Sequence, residues 1–314
     1  MKPCFKQYIW GGDNIRKIYH KDTPEPPVAE SWEISAHPDG LSTADGGSYD
    51  GMTIPELCEK FGSELCGDSM KPGDKFPLLL KILDAKDRLS VQVHPNDEYA
   101  KIHENGGKGK TEAWYILRAE EGASLIYGFR DSISREDFKA AIDAGKTEDV
   151  LNHVSCSEGD VFYIPSGTVH AVGKGLMIAE IQQSSNTTYR VFDYNRRGKD
   201  GKLRELHVEK ALDVSCTKSA AGHEKTAGTS ENFSCGTIRH IIDNEFFCFE
   251  EIALDGSYDA DTQNLLHMIF VADGTVCING ASFKKGDSVL LPASIGKYTV
   301  EGCGKLLRYY TSAR

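Results

Sequence analysis

A short string, Gly-Asp followed by a β-prone run and a proline, occurs twice in the chain. It appears as Gly159-Asp160-Val161-Phe162-Tyr163-Ile164-Pro165 and again as Gly286-Asp287-Ser288-Val289-Leu290-Leu291-Pro292. Each copy follows a strand-like run ending in a small acidic turn: 114–117 runs into Ala119-Glu120-Glu121-Gly122, and 269–271 into Ala272-Asp273-Gly274. A repeated plan of strand, turn, strand and proline constrains the chain to two copies of one small β unit. The runs LSVQVH, ASLIYGF, LMIAEI and YRVFDY are rich in β-branched and aromatic residues and are separated by turns. That is the pattern of an antiparallel sandwich or barrel. A length of 314 residues, at roughly 150 per domain, agrees with two units.

Helical segments interrupt the first copy. Thr53 and Glu56 form a capping box, Pro55 sits in the first turn and Gly62 closes the helix, so Ile54, Leu57, Cys58 and Phe61 share one face. A second helix is expected from Ser134 to Gly145, burying Phe138, Ala141 and Ile142, then a short turn over 147–153 and a third helix over 206–212. After Cys216 the string TKSAAGHEKTAGTSEN is small and polar, with no hydrophobic period. The expected organisation is a first unit over 1–215 with helical insertions, a linker or exposed loop over 216–232, and a second unit over 233–314.

Charge and cysteine usage narrow the partners. Acidic residues outnumber basic ones 47 to 36, a net charge of -11, and no block of Lys and Arg could track a phosphate backbone. Nucleic acid is therefore not an expected partner. The same balance weighs against a phosphorylated ligand unless cations are gathered locally. The nine cysteines are odd in number and form no C-x-x-C pair, so they read as reduced thiols. The opening MKPCFKQYIWGGD lacks the apolar core of a secretory signal, and no run reaches the ~18 apolar residues that would span a bilayer. The expectation is a cytoplasmic protein without a membrane partner; oligomeric state is not readable.

Gln92-Val93-His94 lies in an alternating segment, so Gln92 and His94 point to one face of a strand. The spacing Gly159-x5-Pro165-x-Gly167-x2-His170 sets another histidine just after a strand and a Pro/Gly turn. Both features are similar to the two halves of the cupin signature, which implies two cupin (jelly-roll) barrels in a mainly β fold. Between them Glu112 heads an otherwise apolar strand, where a buried carboxylate needs a cation. Gln92, His94, Glu112 and His170 make a mixed nitrogen and oxygen set suited to zinc, with a position left for water or substrate. After Pro292 the second copy reads Ala-Ser-Ile-Gly-Lys-Tyr and offers no histidine. Only the first unit is expected to hold metal.

The segments WGGD at Trp10, ESWEISAHPDG from Glu30, FPLLLKILDAKDRLSVQVHPND from Phe76, GKTEAWYIL from Gly109, GDVFYIPSGTVHAVG from Gly159 and TTYRVFDYNR from Thr187 follow one another in order. Together they resemble class I mannose-6-phosphate isomerase in its short bacterial form. The resemblance implies paired cupin barrels, one zinc per chain and interconversion of mannose 6-phosphate and fructose 6-phosphate, so the implied partner is a sugar phosphate. Position by position it sets the zinc ligands on Gln92, His94, Glu112 and His170, the essential arginine on Arg190, and a pocket lysine on Lys110. It also marks a departure: relatives often carry Asp four residues before the arginine, where this chain has Asn186.

Moving a proton between C2 and C1 requires a base near those carbons and positive charge at the developing enediolate oxygen. Zinc and Arg190 can supply the charge. Lys110, a zinc-associated water and Glu180 are the candidate bases. For phosphate, no Walker or Rossmann glycine loop is present, and Lys110 with Arg190 or Arg197 is the expected set. A non-catalytic zinc cupin that binds sugar phosphates is the alternative.

Overall fold

The computed structural model describes residues 1–71, 73–198 and 201–312. Among them the chain is mainly β, with three antiparallel sheets. The six-stranded sheet runs Cys4–Lys6, Glu30–Ser35, Leu78–Ala85, Leu176–Gln183, Glu112–Ala119, Val161–Ile164. The five-stranded sheet runs Tyr189–Phe192, Val91–Val93, His170–Ala171, Ser124–Phe129, Leu151–Ser155. The seven-stranded sheet runs Thr229–Phe233, Gly236–Asp243, Cys248–Asp261, Lys297–Tyr310, His267–Ile278, Ala281–Lys284, with Ser288–Leu291 also paired to His267–Ile278.

The repeat read from the sequence is present down to its hydrogen bonds. Gly159 and Gly286 both adopt positive φ, 86° and 93°, which only glycine takes without strain. The next residue closes the same turn in both copies: Asp160 Oδ2 accepts from the Ser157 amide at 2.7 Å, and Asp287 Oδ2 accepts from the Lys284 amide at 2.8 Å. The ladders also agree in register. Glu112 pairs with Ile164, the residue before the first proline, and His267 pairs with Leu291, the residue before the second.

Leu78–Ala85 and Leu176–Gln183 are buried at every position, because the six-stranded sheet is covered on both sides. Leu78, Leu80, Ile82, Met177, Ala179 and Ile181 belong to a core shared with Phe249, Met268, Phe270, Leu307 and Tyr309 of the seven-stranded sheet. The alternate residues, among them Lys81 and Glu180, face the other way, toward the five-stranded sheet. Polar ties reinforce the shared core: buried Glu33 accepts from Ser31 Oγ and from Ser288 Oγ, each at 2.6 Å, and pairs with Lys21 at 2.9 Å.

The first expected helix forms as Ile54–Phe61 with its full capping box and Gly62 at the C-terminal end; Ile54 and Leu57 are buried. The second forms as Arg135–Asp143, capped by Ser134. The turn expected over 147–153 stops at Val150, and Leu151–Ser155 is a strand paired to Ser124–Phe129. The third helix begins later, at Val208, because His207 is tied to a strand: its amide donates to the Arg190 carbonyl at 2.8 Å and its Nδ1 accepts from the Arg190 amide at 3.2 Å.

The segment expected as a linker or exposed loop is an exposed loop up to residue 228, strapped to the first sheets by its backbone. The Cys216, Ala220 and Thr226 amides donate to the Gly167, Phe129 and Val161 carbonyls at 2.7, 2.9 and 2.8 Å, and Lys225 pairs with Asp160 at 2.7 Å. Its last residues enter the edge strand Thr229–Phe233, which is polar and exposed and so has no hydrophobic alternation to announce it.

Candidate metal centre

Three of the four expected ligands converge between the six- and five-stranded sheets. The ligating atoms of His94, Glu112 and His170 all lie within 4.8 Å of one another. His94 Nε2 is 3.5 Å from Glu112 Oε2, and His170 Nε2 is 3.3 Å from Glu112 Oε1. Their exposures are 1, 0 and 0 % for His94, Glu112 and His170. Strand position accounts for the meeting: Glu112 opens Glu112–Ala119, His170 opens His170–Ala171, and His94 directly follows Val91–Val93.

Each imidazole is oriented from behind. His94 Nδ1 donates to the Thr187 carbonyl and His170 Nδ1 to the Thr168 carbonyl, both at 2.8 Å. That tautomer leaves both Nε2 lone pairs aimed at the cluster, the arrangement that backbone carbonyls give metal-ligating histidines. Gln92 pairs with His170 across the ladder, and its Nε2 is 3.3 Å from His170 Nε2. A half-turn of the amide brings Oε1 to the same place.

The donor set fits a cation. His94 Nε2 and Glu112 Oε1 are buried and make no hydrogen bond, an expensive state for polar groups unless a charge satisfies them. Burial, with Lys110 next to it, pushes His94 well below the usual histidine value, and burial takes His170 down to about 4, so both are neutral ligands at neutral pH. Burial and the nearby Glu180 raise Glu112 above the usual carboxylate range. Neutral imidazoles and a buried carboxylate are the first shell that a divalent metal uses.

Two cations flank the cluster. Lys110 Nζ is 2.9 Å from Glu112 Oε2 and 3.9 Å from Glu180 Oε1. Arg190 is the ladder partner of Gln92, so Arg190, Gln92 and His170 form one row across the sheet. Its Nη1 donates to the Glu205 carbonyl at 2.8 Å, while its buried Nε makes no hydrogen bond. Glu180 lies beneath: burial pushes its pKa up, but Lys110, Lys81 and the Trp114 indole, donating at 2.9 Å, outweigh this and hold it below the usual range.

Lys81 carries a role that sequence reasoning missed. Its Nζ is 3.5 Å from Glu180 and 3.7 Å from Glu30, and 4.8 Å from the Trp32 ring centroid. The available signal was a lysine inside the apolar run LLLKIL. Thr187, whose carbonyl holds His94, also lines a cavity of about 990 Å³ that includes His37, Asn186, Lys71, Lys75 and Lys108. Asn186 itself donates to Asp39 at 2.8 Å. Lys110, Arg190 and Arg197, the set expected for phosphate, are not among the cavity's lining residues; Arg197 is exposed and donates to the Gly201 carbonyl at 2.7 Å. No helix among the described residues is long and apolar enough to cross a membrane.

Comparison with known proteins identifies the family. Residues 1–120 match the family described as Phosphomannose isomerase type I, catalytic domain, and residues 237–311 match Mannose-6-phosphate isomerase, cupin domain. The chain is 42 % identical over 305 residues to the mannose-6-phosphate isomerase ManA of Bacillus subtilis, covering 96 % of this chain and 95 % of that one. It is 41 % identical over 298 residues to the mannose-6-phosphate isomerase of Streptococcus mutans, covering 94 and 92 %. A crystal structure of the mannose 6-phosphate isomerase from Bacillus subtilis superposes with a TM-score of 0.89 at 36 % identity, covering 98 % of both chains. With likeness of this extent over nearly its whole length, the chain belongs to the type I mannose-6-phosphate isomerase family.

Proposed function

We propose that this enzyme interconverts mannose 6-phosphate and fructose 6-phosphate at one zinc held by Gln92, His94, Glu112 and His170. The observation that carries the reading is the buried His94, Glu112, His170 cluster with its unpartnered donor atoms, in a chain so similar to named isomerases. The two sheets around the cluster are read as one cupin barrel within residues 1–215, and 233–314 as a second one without metal ligands.

When bound, the zinc supplies Lewis acidity and an anchor for substrate oxygens. The remaining work falls to side chains. Arg190, a permanent cation in the row beside Gln92 and His170, stabilises the oxygen on which negative charge develops. Lys110, buried beside Glu112, holds a substrate oxygen at the reacting end and is a candidate for moving the proton. Glu180 and Lys81 position Lys110 from below. The phosphate sits farther out, among Lys71, Lys75 and Lys108 on the cavity wall, where local cations offset the net charge of -11.

A coupled assay that detects fructose 6-phosphate formed from mannose 6-phosphate, run beside metal analysis of the purified protein, tests the reading. Turnover with one zinc per chain is the expected result; sugar-phosphate binding without turnover overturns it.

A further inference from the structure

We propose that the C-terminal sheet carries a second binding site, for an uncharged sugar, at the rungs that correspond to the metal centre. The site goes beyond the isomerase reading, and neither depends on the other.

The correspondence comes from the ladders. In the first unit the strand order Leu78–Ala85, Leu176–Gln183, Glu112–Ala119, Val161–Ile164 sets Lys81 opposite Glu180 and Gln182 opposite Glu112. In the second the order Cys248–Asp261, Lys297–Tyr310, His267–Ile278, Ser288–Leu291 sets Glu250 opposite Arg308 and Tyr310 opposite His267. His267 therefore stands where Glu112 does, and the pair Lys81–Glu180 returns with its signs reversed as Glu250–Arg308.

These groups open onto a cavity of about 670 Å³, within the range of small-molecule pockets. Glu250, His267 and Arg308 are only 4, 4 and 6 % exposed. They share the inward face with Ile252, Leu254, Ile269 and Leu306, which form an apolar core. An ion pair in such a place costs more desolvation than an apolar pair would. It is held by a complete network: Arg308 donates to Glu250 Oε2 through Nε at 2.7 Å, to the Tyr298 hydroxyl through Nη1 at 3.0 Å and to the Tyr258 hydroxyl through Nη2 at 3.3 Å. Tyr310 donates to Glu250 at 3.2 Å, and its ring lies 4.9 Å from that of His267 at 30°.

The lining chemistry selects the ligand class. Tyrosine rings and hydroxyls line the floor of a half-open pocket, with the exposed carboxylates of Asp259 and Asp261 and the exposed amides of Gln263 and Asn279 at its rim. Paired hydroxyls on an apolar ring satisfy that set. An anion does not: Arg308 is already saturated by Glu250 and the tyrosines, and Glu250, Asp259 and Asp261 outnumber Lys297 and Arg308. A divalent metal does not either, because the one cluster of metal-binding dimensions among the described residues is His94, Glu112 and His170. Burial and Arg308 take His267 down to about 3, so the imidazole is neutral at neutral pH and adds no charge.

Isothermal titration of the full-length, metal-loaded protein with D-mannose, D-glucose and D-galactose, and separately with inorganic phosphate, tests the site. Saturable heat is expected with at least one hexose. It should persist in His94→Ala and weaken at least tenfold in the rim variant Asp259→Asn/Asp261→Asn and in Tyr310→Phe. Isomerase turnover of the rim variant should equal that of the parent, which verifies its fold. No saturable heat with any of the three hexoses overturns the proposal. So does hexose heat that vanishes in His94→Ala while surviving in the rim variant, or phosphate heat that the rim variant abolishes.

Discussion

Arg190 and Gln92 are ladder partners on the same rung that pairs Gln92 with His170, so the guanidinium stands in line with the His94, Glu112, His170 cluster, on the far side of Gln92, rather than within it. Charge stabilisation and metal holding are therefore separable. Arg190→Ala should bind as much metal as the parent and melt near it, yet lose about 10²-fold or more in kcat, the usual cost of removing a group that stabilises a developing oxyanion. Steady-state kinetics beside metal analysis checks this; retained turnover removes Arg190 from the reaction.

His94→Ala and His170→Ala should lose metal and activity together, because each leaves Glu112 buried with fewer neutral donors around it. Chelation of the parent should do the same and lower the melting temperature, since binding energy at a buried centre is folding energy. A chelated protein that melts as the loaded one does would contradict a zinc that the fold relies on.

Glu33 ties the six-stranded sheet to the seven-stranded one through Ser288, and pairs with Lys21 beside it. Glu33→Ala leaves a nearly buried ammonium without its partner and should cost about 3 kcal/mol. Because the units share one core, denaturant unfolding should remain a single transition whose midpoint moves. Two separate transitions would show that the units fold independently.

His267 is depressed to about 3 by burial and Arg308, with Tyr298 and Tyr310 as its other neighbours. A folded-state pKa below the unfolded value near 6.5 means that its contribution is intact above about pH 6.5 and is lost as pH falls toward the folded value. The parent should therefore lose stability relative to His267→Gln by about 1.4 kcal/mol per pH unit between about pH 6 and pH 4. Urea unfolding of both proteins across that range measures it, and parallel curves would refute it.

The paired glycines should not be equally replaceable. At Gly159 a Cβ would have open space, its nearest neighbour 3.8 Å away, whereas at Gly286 it would meet Tyr19 Cβ at 2.7 Å. Gly159→Ala should cost about 1–2 kcal/mol for the left-handed backbone alone, and Gly286→Ala distinctly more, as read by unfolding free energies.

Where the chemistry is local, the sequence was explicit. The Thr53–Glu56 box and the doubled Gly-Asp turn depend on residues a few positions apart, and each of His94, Glu112 and His170 is marked by its own strand end, although only the fold brings the three ends together. What it concealed is non-local. Leu78–Ala85 reads as a continuous apolar run because both of its faces are covered, so the inward turn of Lys81 has no period to betray it. The strap over 216–228 is held by its backbone, which composition does not report. The helix Asp97–His103 was missed although Asn96 caps it, accepting from the Tyr99 amide at 2.9 Å; it presents only Ala100 to the core and so lacks a stripe.

The six-stranded sheet is a party wall. Its inward side carries Lys81, Glu180 and Glu112, and its outward side, Leu80, Ile82, Met177, Ala179 and Ile181, is roofed by the seven-stranded sheet. Cutting the chain before residue 229 would therefore not release a minimal enzyme. It would turn the apolar back of the sheet that carries Glu112 and Glu180 out to water, so the seven-stranded sheet is what shields that face.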